Sequence, residues 1–391
     1  MSFTLNVDAV RWRDHHQAVA GAIGRAGAVL VPVVKGNGYG IGQAQLAREA
    51  ARLESDVIAV GTIFEIDAVL ADTLADVLVL EPFEPKDEAA GHAWWLASKR
   101  WDANRLIRTV SSADALRALV TGPGRVRIVL DVATSMHRFG MDERTLLSII
   151  DDEATRHALS SGHVEVLGLS LHLPMAQPLD ETMVDGVTTG TPKVREVMRW
   201  AGLWQEQTAV WTGTHAPSST VWVSHLDDAE LRQVTASLDE TEVRIRVGSR
   251  LWLEDRRALS ASGTVLAVHP LAETAHVGYR QRSGPKDGTL VVVSGGTTHG
   301  IGLTAPTPAT SLRQRVVAAG SGALDAAGRA LSPFTWAGKQ RWFAEPPHQH
   351  HSMLWLPRGT VIPAVGDALQ AEVRFTTSHF DAVIGLDSSA S

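Results

Sequence analysis

Residues 28–34 read AVLVPVV and run directly into Lys35 and the glycine-rich segment GNGYGIG. An uncharged run this short, closed by a charge and a glycine, reads as a strand covered on both faces, not as one that alternates between core and water. Working outward, seven more runs of the same character follow: 57–62 (VIAVGT), 76–81 (DVLVLE), 105–110 (RLIRTV), 125–132 (RVRIVLDV), 164–172 (VEVLGLSLH), 209–214 (AVWTGT) and 243–248 (VRIRVG). Stretches with helical spacing separate them, as in 43–54, 112–120 and 191–207. Parallel strands joined by crossover helices are the reading, and eight of them specify a (β/α)8 barrel as the expected fold. A doubly wound sheet satisfies the same pattern, because periodicity alone does not close a barrel.

After about residue 250 the alternation stops. TVLAVHP, TLVVVSGG, SMLWLP and DALQAEVRFTT are separated by turn signals such as SGPKDG, which predicts an all-β second domain. The expected division is a barrel over 1–245, with roughly the first ten residues pairing with the second domain, and a β domain over 246–391. A chain of 391 residues accommodates about two such domains.

Composition narrows the function. With 44% hydrophobic and 20% charged residues the chain is not a disordered one. A formal charge of -7 argues against nucleic acid or an anionic membrane as the main partner. There is no cysteine, so disulfides, thiolate nucleophiles and cysteine-held metals are excluded and a reducing compartment fits. The opening MSFTLNVDAVRWRDHHQ has no apolar run of signal-peptide length, and no stretch approaches the roughly 20 apolar residues that span a bilayer. A cytoplasmic protein is expected. Twelve tryptophans accompany only two tyrosines, Tyr39 and Tyr279, so any role that needs a phenol falls on one of these two.

In a barrel, chemistry sits at the C-terminal ends of the strands. Lys35 closes the first run, and a lysine there is either a solvated strand end or an amine held in a pocket to form a Schiff base. The glycines around it do not fit GxGxxG, which disfavours a dinucleotide site.

Taken with its neighbours, VPVVKGNGYGIG resembles the pyridoxal-phosphate lysine motif of the alanine racemase family. The resemblance implies a cofactor bound through Lys35, with Tyr39 on its phosphate. VLDVATSMHRFG is similar to the family segment whose arginine, here Arg138, reaches the cofactor ring oxygen and the substrate carboxylate. Many relatives brace that arginine with a carbamylated lysine. This chain has Asp131 in that place, so a direct Asp131 to Arg138 ion pair is expected. LSLHLP implies a ring-adjacent role for His172. THAPSST resembles the phosphate turn after the seventh strand, with Ser218 in the asparagine place and Ser219 as the phosphate hydroxyl. RIRVGSRLW resembles the segment after the eighth strand, which implies Gly248 and Ser249 on phosphate and Arg246 facing the pyridine nitrogen. AHVGYRQR is similar to the segment whose tyrosine enters the neighbouring subunit's site as second acid/base, here Tyr279.

The similarity runs from about residue 5 to 380, with departures. The segment that contacts the substrate carboxylate is replaced by HSMLW, leaving Met353 for the backbone role and Leu354 at the aspartate place. A further phosphate-binding tyrosine is absent, and His379 stands near its position. His348, His350 and His351 in EPPHQHHSM are candidate metal ligands, but without a cysteine, and ahead of VGD instead of after it, they read better as a polar loop or a substrate-contacting strand. The implied activity is a two-base amino-acid racemase using Lys35 and a partner's Tyr279 in a homodimer. Alanine is the leading substrate, to supply D-alanine for peptidoglycan, with another small or a basic amino acid as alternative. A metal-assisted D-amino-acid dehydratase or aldolase, a decarboxylase and a non-catalytic pyridoxal-phosphate-binding protein are the rival readings.

Overall fold

The computed structural model describes residues 2–175, 183–184, 187–188, 190–211, 213, 215–238, 240–272, 275–279, 281–283, 287–303 and 330–386. The chain forms two compact units, one of residues 14–38 and 42–254, the other of 1–13, 39–41 and 255–391. The nine residues 246–254 that follow the expected boundary group with the first of these units, since they hold the end of the last barrel strand and the short helix after it.

In chain order, β1 (Phe3–Val7) and α1 (Ala9–Arg25) precede β2 (Val29–Pro32), α2 (Gln43–Arg52), β3 (Val57–Val60), α3 (Asp67–Leu70), β4 (Asp76–Pro82) and α4 (Glu88–Arg100). Then come β5 (Leu106–Val110), α5 (Ala113–Thr121), β6 (Val126–Val132), α6 (Glu143–Ile150), α7 (Glu153–Ser160) and β7 (Val164–Leu171). A two-residue pair, β8 (Met183–Val184) and β9 (Val187–Thr188), leads to α8 (Pro192–Thr208), β10 (Val221–Ser224), α9 (Asp228–Ser237), β11 (Val243–Val247) and α10 (Ser249–Leu253).

The parallel sheet runs β2-β11-β10-β7-β6-β5-β4-β3, and a parallel bridge from Val33 to Ala59 joins its two ends. The Val34 amide donates to the Ala59 carbonyl at 2.8 Å. This closes the sheet into a barrel and removes the doubly wound alternative. Val31, Val33, Val57, Ala59, Leu78, Ile107, Val129 and Trp222 fill the interior. Six helices begin where the sequence supplies an acceptor: Asp87, Ser112, Asp142, Asp152, Thr191 and Asp227 each accept an amide of the following first turn.

One strand assignment is corrected. Residues 209–211 are not strand but the turn that ends α8, with the Trp211 amide on the Thr208 carbonyl. The seventh barrel strand is VWVS at 221–224. Both runs are short and apolar, and only pairing to β7 and β11 distinguishes them.

The second unit is a mostly antiparallel sheet. β12 (Leu259–Pro270), β13 (His276–Val277), β14 (Arg282–Ser283), β15 (Thr289–Ser294), β16 (Leu331–Trp336), β17 (Lys339–Phe343), β18 (His351–Leu356), β19 (Ala368–Ala371) and β20 (Ala382–Ile384) complete the chain. The main sheet runs β15-β18-β17-β16-β19-β12-β1-β20, and β15 also pairs with β12. Phe3, Val265, Val291, Val293, Phe334, Leu354 and Leu369 build its core. Among the described residues, no helix is long and apolar enough to cross a membrane.

Candidate active site

Lys35 lies two residues beyond Val33 on the same face of the β2 extension, so the alternation that buries Val31 and Val33 carries Lys35 to the barrel mouth. The Glu65 carboxylate braces this corner. It accepts from the Gly61 amide at 2.7 Å and from the Gly36 amide at 3.2 Å, tying the loops after β2 and β3 together. The Lys35 amine titrates below the ordinary lysine range. Partial burial is the main cause, Arg138 repels the charge, Glu65 pulls the other way, and Arg246 adds repulsion.

Opposite in the barrel sheet, a bulge decides what faces the interior. Ile128 pairs with Val166 but Leu130 pairs with Leu169, so two residues of β7, 167 and 168, face one of β6. Gly168 makes this possible: its φ is +128°, and a Cβ there would run into the Thr220 carbonyl. The extra residue brings Ser170 beside Asp131 instead of leaving a leucine there. Its hydroxyl donates to Asp131 Oδ1 at 2.9 Å and accepts from Arg246 Nη1 at 3.0 Å. Arg246 Nη2 donates to the Leu171 carbonyl at 2.7 Å and Nε to the Val223 carbonyl at 3.5 Å. Asp131, Ser170 and Arg246 are all buried.

Burial lowers the Arg246 pKa to about 10, with Asp131 pulling it back up and Arg138 pushing it further down. Burial raises Asp131, against the pull of Arg246, the Ser170 hydrogen bond and Arg138. The expected Asp131 to Arg138 ion pair is absent. Arg138 stands exposed on the loop after β6, its guanidinium 5.1 Å from the Phe139 ring, and Asp131 is instead bridged to Arg246 through Ser170. The strand carries Asp131 inward, while the loop turns at His137, whose φ is +51°, and lifts Arg138 outward.

His172 follows β7. Its Nδ1 lies 3.2 Å from the Ser224 hydroxyl, and its ring meets that of His225 at 5.1 Å. Its pKa falls to about 3, through burial first and then the charges of Arg246, Arg138, His225 and Lys35. His225 is lowered in the same way, by burial and then Arg246.

The Ser219 expectation is overturned. Ser218 and Ser219 precede β10, at the end where β11 begins with Val243, and the Ser218 amide is bound to the Val166 carbonyl. β10 ends at Ser224, the mouth-side turn after it is His225, Leu226 and Asp227, and Asp227 caps α9. Gly248 and Ser249 lie where expected in the chain, at the start of α10, whose first-turn amides have no acceptor within the helix. Tyr39 is buried with φ +55° and Met353 lies on β18, while His379 is exposed beyond β19. Leu354 is wholly buried in the β-unit core. Sequence reasoning missed Ser170, Ser224 and His225. Gly168 inside an apolar run was the available signal for the first.

Tyr279 is 87% exposed, its ring centroid 4.8 Å from that of His348. His348 Nε2 donates to Glu345 Oε1 at 2.6 Å, and its Nδ1 lies 2.9 Å from His351 Nε2. Among the described residues, no three His, Asp or Glu side chains are arranged to hold a metal ion.

The donor set at the mouth fits a flat, phosphorylated aldehyde. Lys35 offers an amine, and among the described residues only three of the five Arg246 N–H bonds have acceptors. The first-turn amides of α10 suit an anion.

A parallel barrel with a strand-end lysine, followed by a β unit, is the architecture of a fold-type III enzyme. Residues 7–234 match the family model for the alanine racemase N-terminal domain, more than half of the chain, and the protein belongs to that family. Alanine racemase of Corynebacterium efficiens is 31% identical over 157 residues, a match spanning only 39% of each chain. Solved structures share the fold at low identity. Alanine racemase from Clostridium difficile 630 superposes with a TM-score of 0.63 at 12% identity, covering 95% of this chain and 86% of that one. Alanine racemase from Bacillus anthracis, with bound L-Ala-P, gives 0.64 at 16%, covering 94% and 84%. Histidine racemase from Leuconostoc mesenteroides gives 0.59 at 16%, covering 94% and 87%.

Proposed function

We propose that this protein is a pyridoxal-phosphate-dependent amino-acid racemase that works as a homodimer with shared sites, Lys35 of one copy acting with Tyr279 of the other. Family membership and the fold support the class. The observation that supports the site most strongly is the grouping of Lys35, Arg138, His172 and Arg246, each felt electrostatically by at least one other.

Lys35 would hold the cofactor aldehyde, Arg246 would face its ring nitrogen, and the amides of Gly248 and Ser249 would receive the phosphate, with Tyr39 and His379 as further candidates. Bound there, pyridoxal phosphate supplies an electron-withdrawing ring that acidifies the substrate α C–H. The rest is done by side chains. Arg138 holds the substrate carboxylate. The Lys35 amine, its pKa lowered, takes the α-proton on one face or returns it. Tyr279 of the second copy does so on the other. Arg246 keeps its own proton near neutral pH even at a pKa of about 10, so it does not encourage protonation of the ring nitrogen as a carboxylate would. This restrains the electron sink and favours simple proton exchange over deeper rearrangement. His172, neutral at pH 7, adds no competing charge. Alanine is the first substrate to test, with small and basic amino acids beside it. D-alanine for peptidoglycan would be the product's use, in the cytoplasm.

The test loads the purified protein with pyridoxal phosphate and incubates it in deuterium oxide with single-enantiomer amino acids. Loss of chirality together with α-deuteration for one of them is the expected result. An absorbance band that borohydride bleaches, with no exchange from any amino acid, would point to a binding protein and end the racemase reading.

A further inference from the structure

Tyr279 lies outside the sheet core and is almost fully exposed, yet a phenol that moves a proton must be aimed. The structure supplies an aiming device within the same unit. Gly278, immediately before it, has φ +72°, and a Cβ at that position would run into the Glu345 carboxylate. Glu345 is itself 3% exposed. It accepts from His348 Nε2 at 2.6 Å, which fixes the proton on that nitrogen and orients the ring. His348 is held at its other nitrogen by His351, at 2.9 Å, and at its amide by the His351 carbonyl, at 3.0 Å. This ring, held at both nitrogens, is the one that lies against Tyr279, 4.8 Å away and tilted by 39°. Behind it, the Ala344 amide donates to the Met353 carbonyl, which ties the Glu345 segment to β18. Val277, Ala344, Met353 and Trp355 pack as one apolar patch beneath this corner.

We propose that His348, oriented by the buried Glu345, is the positioning residue for Tyr279, setting the direction in which the phenol is presented to the second copy. This rests on the reading of Tyr279 as the second acid/base. His348 touches neither substrate nor cofactor in this scheme. It acts through the tyrosine, by removing the freedom of an exposed side chain before the reaction begins. The same arrangement gives the histidine run, unusual in the sequence, a role that needs no metal.

The experiment follows α-proton exchange in deuterium oxide from each enantiomer separately, with the cofactor-loaded full-length enzyme and the amino acid it racemises. Tyr279→Phe first identifies which enantiomer's exchange needs the phenol. His348→Gln keeps a donor for Glu345 but no ring. It is expected to lower kcat for that enantiomer by about 10- to 100-fold, as misaimed catalytic groups do, with KM and the opposite exchange unchanged within about twofold. His348→Phe restores a flat ring but not the hydrogen bond to Glu345 that orients it, and is expected to recover less than half of the lost rate on a logarithmic scale; full recovery would remove Glu345 from the device and overturn the proposal. Equal losses from both enantiomers, or none from either, would overturn the proposal. If Tyr279→Phe is selective and His348→Gln is not, the positioning role alone falls. If Tyr279→Phe selects neither enantiomer, the two-base reading falls and takes the positioning role with it.

Discussion

The barrel mouth and the tyrosine corner of the β unit hold their functional groups by opposite means. In the barrel, Asp131, Ser170 and Arg246 are 6%, 0% and 7% exposed and bind one another, so each position is determined by its neighbours. At the corner, Tyr279 is 87% exposed and rests on one histidine ring. A buried polar set is costly to break and is therefore tied to stability. An exposed phenol contributes almost nothing to folding. The comparison separates substitutions that unfold the protein from substitutions that silence it.

The largest effect should be seen where the two regions are set against each other. Lys35→Ala is expected to abolish racemisation, and Tyr279→Phe to lower it by about 10²- to 10⁴-fold without altering the melting temperature. Mixing the two inactive variants under conditions that exchange subunits should restore activity, since one site of each mixed dimer then holds both intact residues. No recovery, with exchange verified by mass, would place both bases in one chain and break the contrast.

Next in size is the buried set. Asp131→Ala leaves the Arg246 charge without its carboxylate and should destabilise the protein by about 3–5 kcal/mol. Asp131→Asn keeps an acceptor for Ser170 and should cost about 1–2 kcal/mol. Denaturant unfolding measures both. Equal costs would mean that the Ser170 hydrogen bond adds nothing and that the lost charge beside Arg246 accounts for the whole effect.

The pH dependence comes third. His172 has a pKa of about 3 in the fold against an ordinary 6.5, so in that interval the unfolded chain binds a proton that the folded one refuses. Stability is then complete above about pH 6.5 and declines as pH falls towards 3. His225 acts in the same direction. Thermal melting between pH 7 and pH 5 should show the decline, and His172→Gln should flatten it. An unchanged slope would remove His172 as its source.

The smallest effect concerns the strand that carries the lysine. Trp252 Nε1 donates to the Val33 carbonyl at 2.8 Å, two residues before Lys35. Trp252→Phe leaves that carbonyl unpaired and should cost about 1 kcal/mol, read as a shift in denaturant midpoint.

Seven of the eight barrel strands were legible because a strand buried on both faces needs an uncharged run, and such a run is visible without knowledge of its partners. The seventh was not, since AVWTGT and VWVS are equally apolar and pairing alone chose between them. The misplacement carried Ser219 to the wrong end of the barrel and hid Ser224 and His225. Asp131 was recognised as a carboxylate that braces an arginine, but its partner was taken from the family resemblance. The bulge at Gly168 acts across strands, so it changed the partner without leaving a periodic trace.

What the sequence determined by itself was the kind of element at most positions, the lysine at a strand end, and the restriction of phenol chemistry to Tyr39 and Tyr279. These follow from short-range patterns and from composition. Only the tertiary structure decided that Asp131 serves Arg246 instead of Arg138, that Leu354 lies in a core, and that His348 lies against Tyr279. Each of these depends on register between strands, or on loops brought together from distant parts of the chain. Hydrogen bonds and packing fix such contacts after the chain has folded, and one residue of slip in a strand reverses which side chain faces the site.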